Sequence, residues 1–243
     1  MLSGVFEIIG PKMIGPSSSH TAGTAKIGRI ARDIFTEEPG EVVVYFAGTL
    51  GQKMKSLRSD FAIMGGILDY DIDDPEQDRS MQIAKERGIK VSIEPKIIEN
   101  AHPATVKITM ISKDMKRKLN LTGISAGGGK IKIIELDGYQ VSIPGNNHTL
   151  VMVMDSDNRI ADIIQLFREK GIDFSIKNIL HQNNVVVLVI DLESSIEKIL
   201  VNQIEKIIGI KKLYHVQPLF GEIKNIPPLF KSISEMIELA KKK

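Results

Sequence analysis

Apolar positions along the chain follow two periods, and each change of period marks an element. From about residue 24 to Phe35, Ala25, Ile27, Ile30, Ala31 and Ile34 recur at helical spacing. Gly23 and Gly28 would let this helix lie close to a sheet, and Glu37-Glu38-Pro39-Gly40 ends it. Residues 41–47 are β-branched and aromatic between two glycines, which predicts a buried strand. Residues 51–59 are polar and basic. Asp60 then stands as N-cap of a helix carrying Phe61, Ile63, Met64, Ile67 and Leu68. A short helix over 79–87 is closed by Gly88. Strands are predicted over 89–94, 104–111, 116–124 and 131–136, and a short apolar element over 5–9 leads the chain in.

The second half has its own rhythm. Pro144-Gly145-Asn146-Asn147 breaks the pattern. A strand over 149–154 follows, then an amphipathic helix over 159–170 closed by Gly171. Strands over 172–180 and 185–192 flank the turn Gln182-Asn183-Asn184, and a helix over 196–207 leads to a strand over 210–216. The order βαββαβ is the ferredoxin-like split pattern, with two helices over one face of a four-stranded antiparallel sheet. Beyond Asn225-Ile226-Pro227-Pro228, residues 229–243 carry Leu229, Ile233, Met236, Ile237 and Ala240 on one helical face and end in three lysines. The expected class is α/β: a first domain over 1–145, a second over 148–220, and a C-terminal linker and helix over 221–243.

Composition narrows the chemistry. The 243 residues suffice for two ordinary domains, each with a core. A hydrophobic share of 42% and a charged share of 26% are those of a soluble globular protein. The net charge of +2 gives no reason to expect nucleic acid or an anionic membrane as partner. No apolar run approaches the roughly 18 residues of a membrane span, and no signal peptide opens the chain, so a cytoplasmic protein is expected. With no cysteine there is no disulfide and no thiolate metal site. The five histidines are scattered without zinc spacing. The acidic stretch 69–78 lacks a defined calcium-loop pattern and reads as a solvated loop. No metal or cofactor site of the chain's own is expected.

One stretch concentrates chemistry. Pro16 stiffens the entry to Ser17-Ser18-Ser19-His20-Thr21, and small residues then open the first helix. Hydroxyls and free N–H groups at the positive end of a helix dipole suit a carboxylate or phosphate. Plain capping accounts for one hydroxyl, not four. His20 is the side chain of the run that titrates near neutral pH. Adjacent Ser and His do not make a hydrolase pair, because neighbouring side chains diverge. Ser125-Ala126-Gly127-Gly128-Gly129-Lys130 is not a P-loop: Ile131 follows the lysine and a strand follows the loop. Its glycines permit positive φ in a loop or bulge, or let bare backbone approach a ligand.

The run Gly15-Pro16-Ser17-Ser18-Ser19-His20-Thr21-Ala22-Gly23, followed by Ala25-Lys26-Ile27-Gly28-Arg29, resembles the signature of the β chains of iron–sulfur-dependent L-serine dehydratases. Gly65-Gly66-Ile67-Leu68, His102-Pro103-Ala104-Thr105-Val106-Lys107-Ile108 and Thr122-Gly123-Ile124-Ser125 with Gly129-Lys130-Ile131 extend the resemblance over most of residues 1–220. Where that family usually carries Gly-His-Gly-Thr-Asp, this chain has Ser56-Leu57-Arg58-Ser59-Asp60, so the histidine is replaced and Asp60 retained. The second domain, with Asp157-Asn158-Arg159 entering its first helix and Gly171-Ile172-Asp173 leaving it, resembles an ACT domain. The family's usual Pro-Gly at that entry is Asn158-Arg159 here. Residues 230–240 resemble the opening of the dehydratase α chain.

The resemblance implies an allosteric-substrate-binding-like α/β domain followed by a ferredoxin-like ACT domain. It implies His20 as general base or acid, with Ser17, Ser18, Ser19 and Thr21 holding the substrate carboxylate and Asp60 as a further substrate-binding residue. It also implies an α chain whose cysteines hold a [4Fe-4S] cluster, with open iron acting as Lewis acid on the hydroxyl of L-serine. Water would leave, and the enamine that remains would be hydrolysed to pyruvate and ammonia. A homodimer through the ACT domains is implied as well. The replaced histidine keeps a second reading open: a non-catalytic amino-acid- or anion-binding regulatory module of a diverged branch.

Overall fold

The computed structural model describes residues 13–207 and 209–219. The readings over 5–9 and 229–243 lie outside the described residues. Two sheets organise the described chain. The first has six strands: β1 (Pro39–Phe46), β2 (Lys90–Pro95), β3 (Thr105–Ser112), β4 (Lys118–Gly127), β5 (Lys130–Leu136) and β6 (Tyr139–Ile143), in the order β2-β1-β3-β4-β5-β6. β1 and β2 run parallel and every other pair antiparallel. The parallel pair follows from its long crossover, which contains α2 (Gly48–Gln52), α3 (Ser59–Ile67), the 3₁₀ turn Pro75–Arg79 and α4 (Ser80–Glu86).

Helix α1 (Gly23–Phe35) lies across this sheet and packs on α3. Glycines set the closeness of that helix pair. A Cβ at Gly66 would fall on the carbonyl oxygen of Ala25, and one at Gly28 on that of Ile63. Gly28 therefore serves the approach of a helix rather than of the sheet predicted for it. Gly23 does face the sheet, where Ser125 fills the space a side chain would need. Thr36 ends α1 in the left-handed region, and its N–H bonds the carbonyl of Arg32.

The second sheet consists of β7 (His148–Met154), β8 (Phe174–Gln182), β9 (Val185–Leu192) and β10 (Ile210–Val216), all antiparallel, in the order β10-β7-β9-β8. Helices α5 (Asn158–Glu169) and α6 (Lys198–Glu205) supply the crossovers. β7 and β9 are apolar at nearly every position because both faces are buried. Leu150, Met152, Leu188 and Ile190 face a core completed by Ile163, Phe167 and Ile204 of the helices. Val151, Val153, Val187 and Val189 face the other way and join the core of the first sheet with Ile30, Ile133 and Ile143.

Several expectations are revised. Asp60 is not an N-cap: α3 begins at Ser59, Arg58 precedes it in the left-handed region (φ 53°), and Asp60 sits in the first turn. Residues 125–127 belong to β4, so the glycine stretch contracts to a hairpin turn with φ of 92°, 58° and 72° at Gly127, Gly128 and Gly129. β6 and α2 are elements the apolar pattern does not mark. The acidic stretch is more ordered than a plain solvated loop: Asp69 and Asp71 pair with Arg29, Asp78 pairs with Arg58, and Gln77 is buried. No helix among the described residues is long and apolar enough to cross a membrane.

Candidate active site

The Ser-rich run enters α1 through one widened, π-helical turn, Ser18–Ala22. The Gly15–Pro16 peptide bond before it is cis. Ser17 caps the turn: its Oγ accepts the N–H of His20 at 3.1 Å, and its carbonyl accepts the N–H of Thr21 and of Ala22 at 2.8 and 3.2 Å. Thr24, fully buried on α1, donates its hydroxyl to the carbonyls of His20 and Thr21 at 2.6 and 2.9 Å. The turn is thus fixed from its own neighbours on both sides.

The predicted residues separate into two groups. Ser17, Ser19 and His20 converge. His20 Nδ1 lies 3.1 Å from Ser19 Oγ and 3.4 Å from Ser17 Oγ, and the two hydroxyls are 3.4 Å apart. Ser18 is exposed beside them. Thr21 turns inward: its hydroxyl donates to the carbonyl of Leu57 at 2.9 Å and accepts the N–H of Ser17 at 3.2 Å. It ties the turn to the segment before α3 and has less to offer a ligand. Asp60 is buried at the start of that helix. Its Oδ2 takes the Lys55 ammonium at 2.7 Å, its Oδ1 is buried without a hydrogen-bond partner, and no hydrogen bond joins it to the His20 cluster among the described residues.

With Nδ1 held by hydroxyls, Nε2 of His20 is the ring nitrogen left for chemistry. It is buried and has no hydrogen-bond partner among the described residues. Burial, and secondarily the positive charge of Lys53, hold the imidazole below its ordinary pKa. At neutral pH it is therefore an uncharged base. Leu57, which receives Thr21, donates its N–H to the carbonyl of Lys53 at 3.0 Å, so the same short turn positions both the anchor and the charge.

Three residues of this site escape sequence reasoning. Ser125 on β4 donates its hydroxyl to the carbonyl of Ser19. Lys26 on α1 is buried and donates to the carbonyl of Gly129 at 2.7 Å, with burial lowering its pKa. Lys53 is exposed and reaches the site by charge. Ser125 and Lys26 clamp the glycine hairpin against the Ser-rich turn. Lys26 interrupts the apolar face of α1, a signal visible in the sequence, but its partner lies 103 residues away. The described residues contain no group of three or more His, Cys, Asp or Glu side chains placed to hold a metal ion.

No family model matches the chain. It is 38% identical over 207 residues to a protein of Bacillus subtilis (strain 168) named probable L-serine dehydratase, beta chain; the match covers 84% of this chain and 93% of that protein. It is 28% identical over 209 residues to the L-serine dehydratase, beta chain, of Peptoniphilus asaccharolyticus, covering 85% of this chain and 93% of that one.

Proposed function

We propose, from the premise that the chain belongs to the family of L-serine dehydratase beta chains, that it is the subunit that orients L-serine and moves its protons in an L-serine ammonia-lyase, acting with a partner alpha chain. The observation that carries this reading is the Ser17–Ser19–His20 cluster, in which one imidazole nitrogen is tied and the other is unpartnered. The hydroxyls of Ser17, Ser18 and Ser19 receive the substrate carboxylate. Nε2 of His20 takes the α proton or returns a proton to the departing hydroxyl. Loss of the α hydrogen and the β hydroxyl as water leaves an enamine, which tautomerises and is hydrolysed to pyruvate and ammonia. Thr21 and Ser125 hold the turn in place for this chemistry, and Asp60 lies on the neighbouring helix.

The [4Fe-4S] cluster implied by the sequence resemblance does not fit this chain's residues. There is no cysteine in the sequence and no metal-holding group among the described residues. The cluster is assigned to the alpha chain, and no step above runs through it. The unit β7–β10 with α5 and α6 is read as an ACT domain of ferredoxin-like topology. The strand order β10-β7-β9-β8 supports this. Pairing with a second copy is proposed along the sheet edge at β8, where Ile176 and Ile179 are each 39% exposed.

The second reading, a regulatory module that binds an amino acid or anion without turnover, draws on one observation. Leu57 stands in the segment where the family resemblance expects a histidine, and only its backbone engages the site. Anaerobic reconstitution with an alpha chain, followed by pyruvate release from L-serine, separates the two. Activity that requires both chains and falls by about 10²–10⁴ in His20→Ala supports the lyase role. Full activity in His20→Ala overturns the role of His20. Serine binding without turnover in the reconstituted complex favours the regulatory module.

A further inference from the structure

Away from the Ser-rich turn, a cleft of about 590 Å³ opens between the first and second sheets. That volume is within the range of small-molecule sites. Its walls come from the end of α1 and the start of β4 on one side, and from α6 and β10 on the other.

The polar groups of these walls are unevenly matched. Arg117 is pinned in place: Nη1 donates to Thr36 Oγ1 at 2.8 Å, Nη2 to the carbonyl of Ile34 at 3.1 Å, and the guanidinium lies over Phe35 with 5.4 Å to the ring centroid. Two of its five N–H donors are used, both on neutral oxygens. Among the described residues no carboxylate forms an ion pair with Arg117 or with its neighbour Lys118. Two acids of the cleft are already engaged. Asp137 accepts from Lys212, Tyr214 and the N–H of Asn120, and Asp33 lies against Arg29. Glu205 is the acid that remains. Across the cleft, His215 Nε2 is buried without a hydrogen-bond partner among the described residues, its ring 5.8 Å from that of His148. A buried polar atom left unpaired is costly, and a bound acceptor removes that cost.

The walls therefore present a pre-oriented guanidinium and an ammonium, with the unsatisfied imidazole nitrogen of His215 buried beside them, against one carboxylate unmatched among the described residues. We propose that this cleft binds a small organic anion through its carboxylate or phosphate group. Because the contacts come from both sheet units, such a ligand holds the second unit to the first. This inference is independent of the proposed lyase chemistry.

The test is thermal unfolding of the full chain with succinate or inorganic phosphate, using potassium chloride at equal ionic strength as control. Binding raises Tm by roughly 5–10 °C at a hundredfold excess over Kd. The rise disappears in Lys118→Gln and in His215→Gln and persists in His20→Ala. Arg117→Gln also removes contacts to the end of α1, so the other two variants decide. A response to one anion and not the other identifies the head group. No rise beyond chloride with either anion overturns the proposal, and so does a rise that survives in both deciding variants.

Discussion

At the scale of single residues, the site depends on which nitrogen of His20 is occupied. Ser17 and Ser19 hold Nδ1, burial and Lys53 keep the ring uncharged, and Nε2 is left unpartnered. A base of this kind must be neutral to act. In the assembled enzyme, activity is expected to fall at acid pH, with the falling limb lying below the ordinary histidine value. Lys53→Gln removes one of the two causes, so that limb should move to higher pH. A pH–rate profile of the variant checks this; an unmoved limb would mean that another group titrates. The types of these residues are legible in the sequence. Their division of labour is not: Thr21 sits in the same run as Ser19, yet its hydroxyl is turned to Leu57.

Among elements, the contact of α1 with α3 positions the turn. Two glycines allow the backbones to meet, and the obstructing atoms are carbonyl oxygens, not the ends of flexible side chains. Gly66→Ala should destabilise the chain by about 1–3 kcal/mol or more, read as a lower urea midpoint with an unchanged slope. Ala62→Gly on the same helix should cost only about 1 kcal/mol through helix propensity and lost burial, which makes it a control. The end of β4 is tied to the turn by Ser125. Ser125→Ala removes one hydrogen bond, about 0.5–1.5 kcal/mol, and should lower turnover more than stability, because the carbonyl released belongs to Ser19. Turnover and urea midpoint measured on one preparation separate these effects.

On the scale of the whole molecule, Asp137 forms a polar link between the two sheet units. Burial works against its charge. The Lys212 ammonium, the Asn120 N–H and the Tyr214 hydroxyl outweigh burial and hold the carboxyl below its ordinary value. Tyr214 is correspondingly pushed up by burial and by this carboxylate. A carboxylate depressed in the fold contributes stability that is complete above its unfolded pKa, near 3.9, and lost as pH falls through its folded value. Asp137→Asn should therefore lower stability at neutral pH by about 1–3 kcal/mol and flatten the loss on acidification. Urea titrations at neutral and acid pH check both parts. A second link between the two sheet units is made by Gln140 and Gln182. The Gln140 N–H donates to the Gln182 side chain, and the Gln182 amide donates to the Gln140 carbonyl.

The sequence by itself determined most of the element order, the apolar faces and the candidate stretch for chemistry. These depend on local periodicity, turn residues and a compact run of hydroxyls around one histidine. The apolar runs at 150–154 and 185–190 read as strands of a sheet with helices over one face. Only the tertiary structure decided that the second face meets the core of the first sheet, and that Gly28 admits a helix. It also decided that Lys26 and Ser125 bind the glycine hairpin to Ser18–His20 from more than a hundred residues away. The physical reason is the same in each case. Local periodicity specifies which face of an element must leave water, while the partner it meets is set by distant chain segments whose pairing no local pattern encodes.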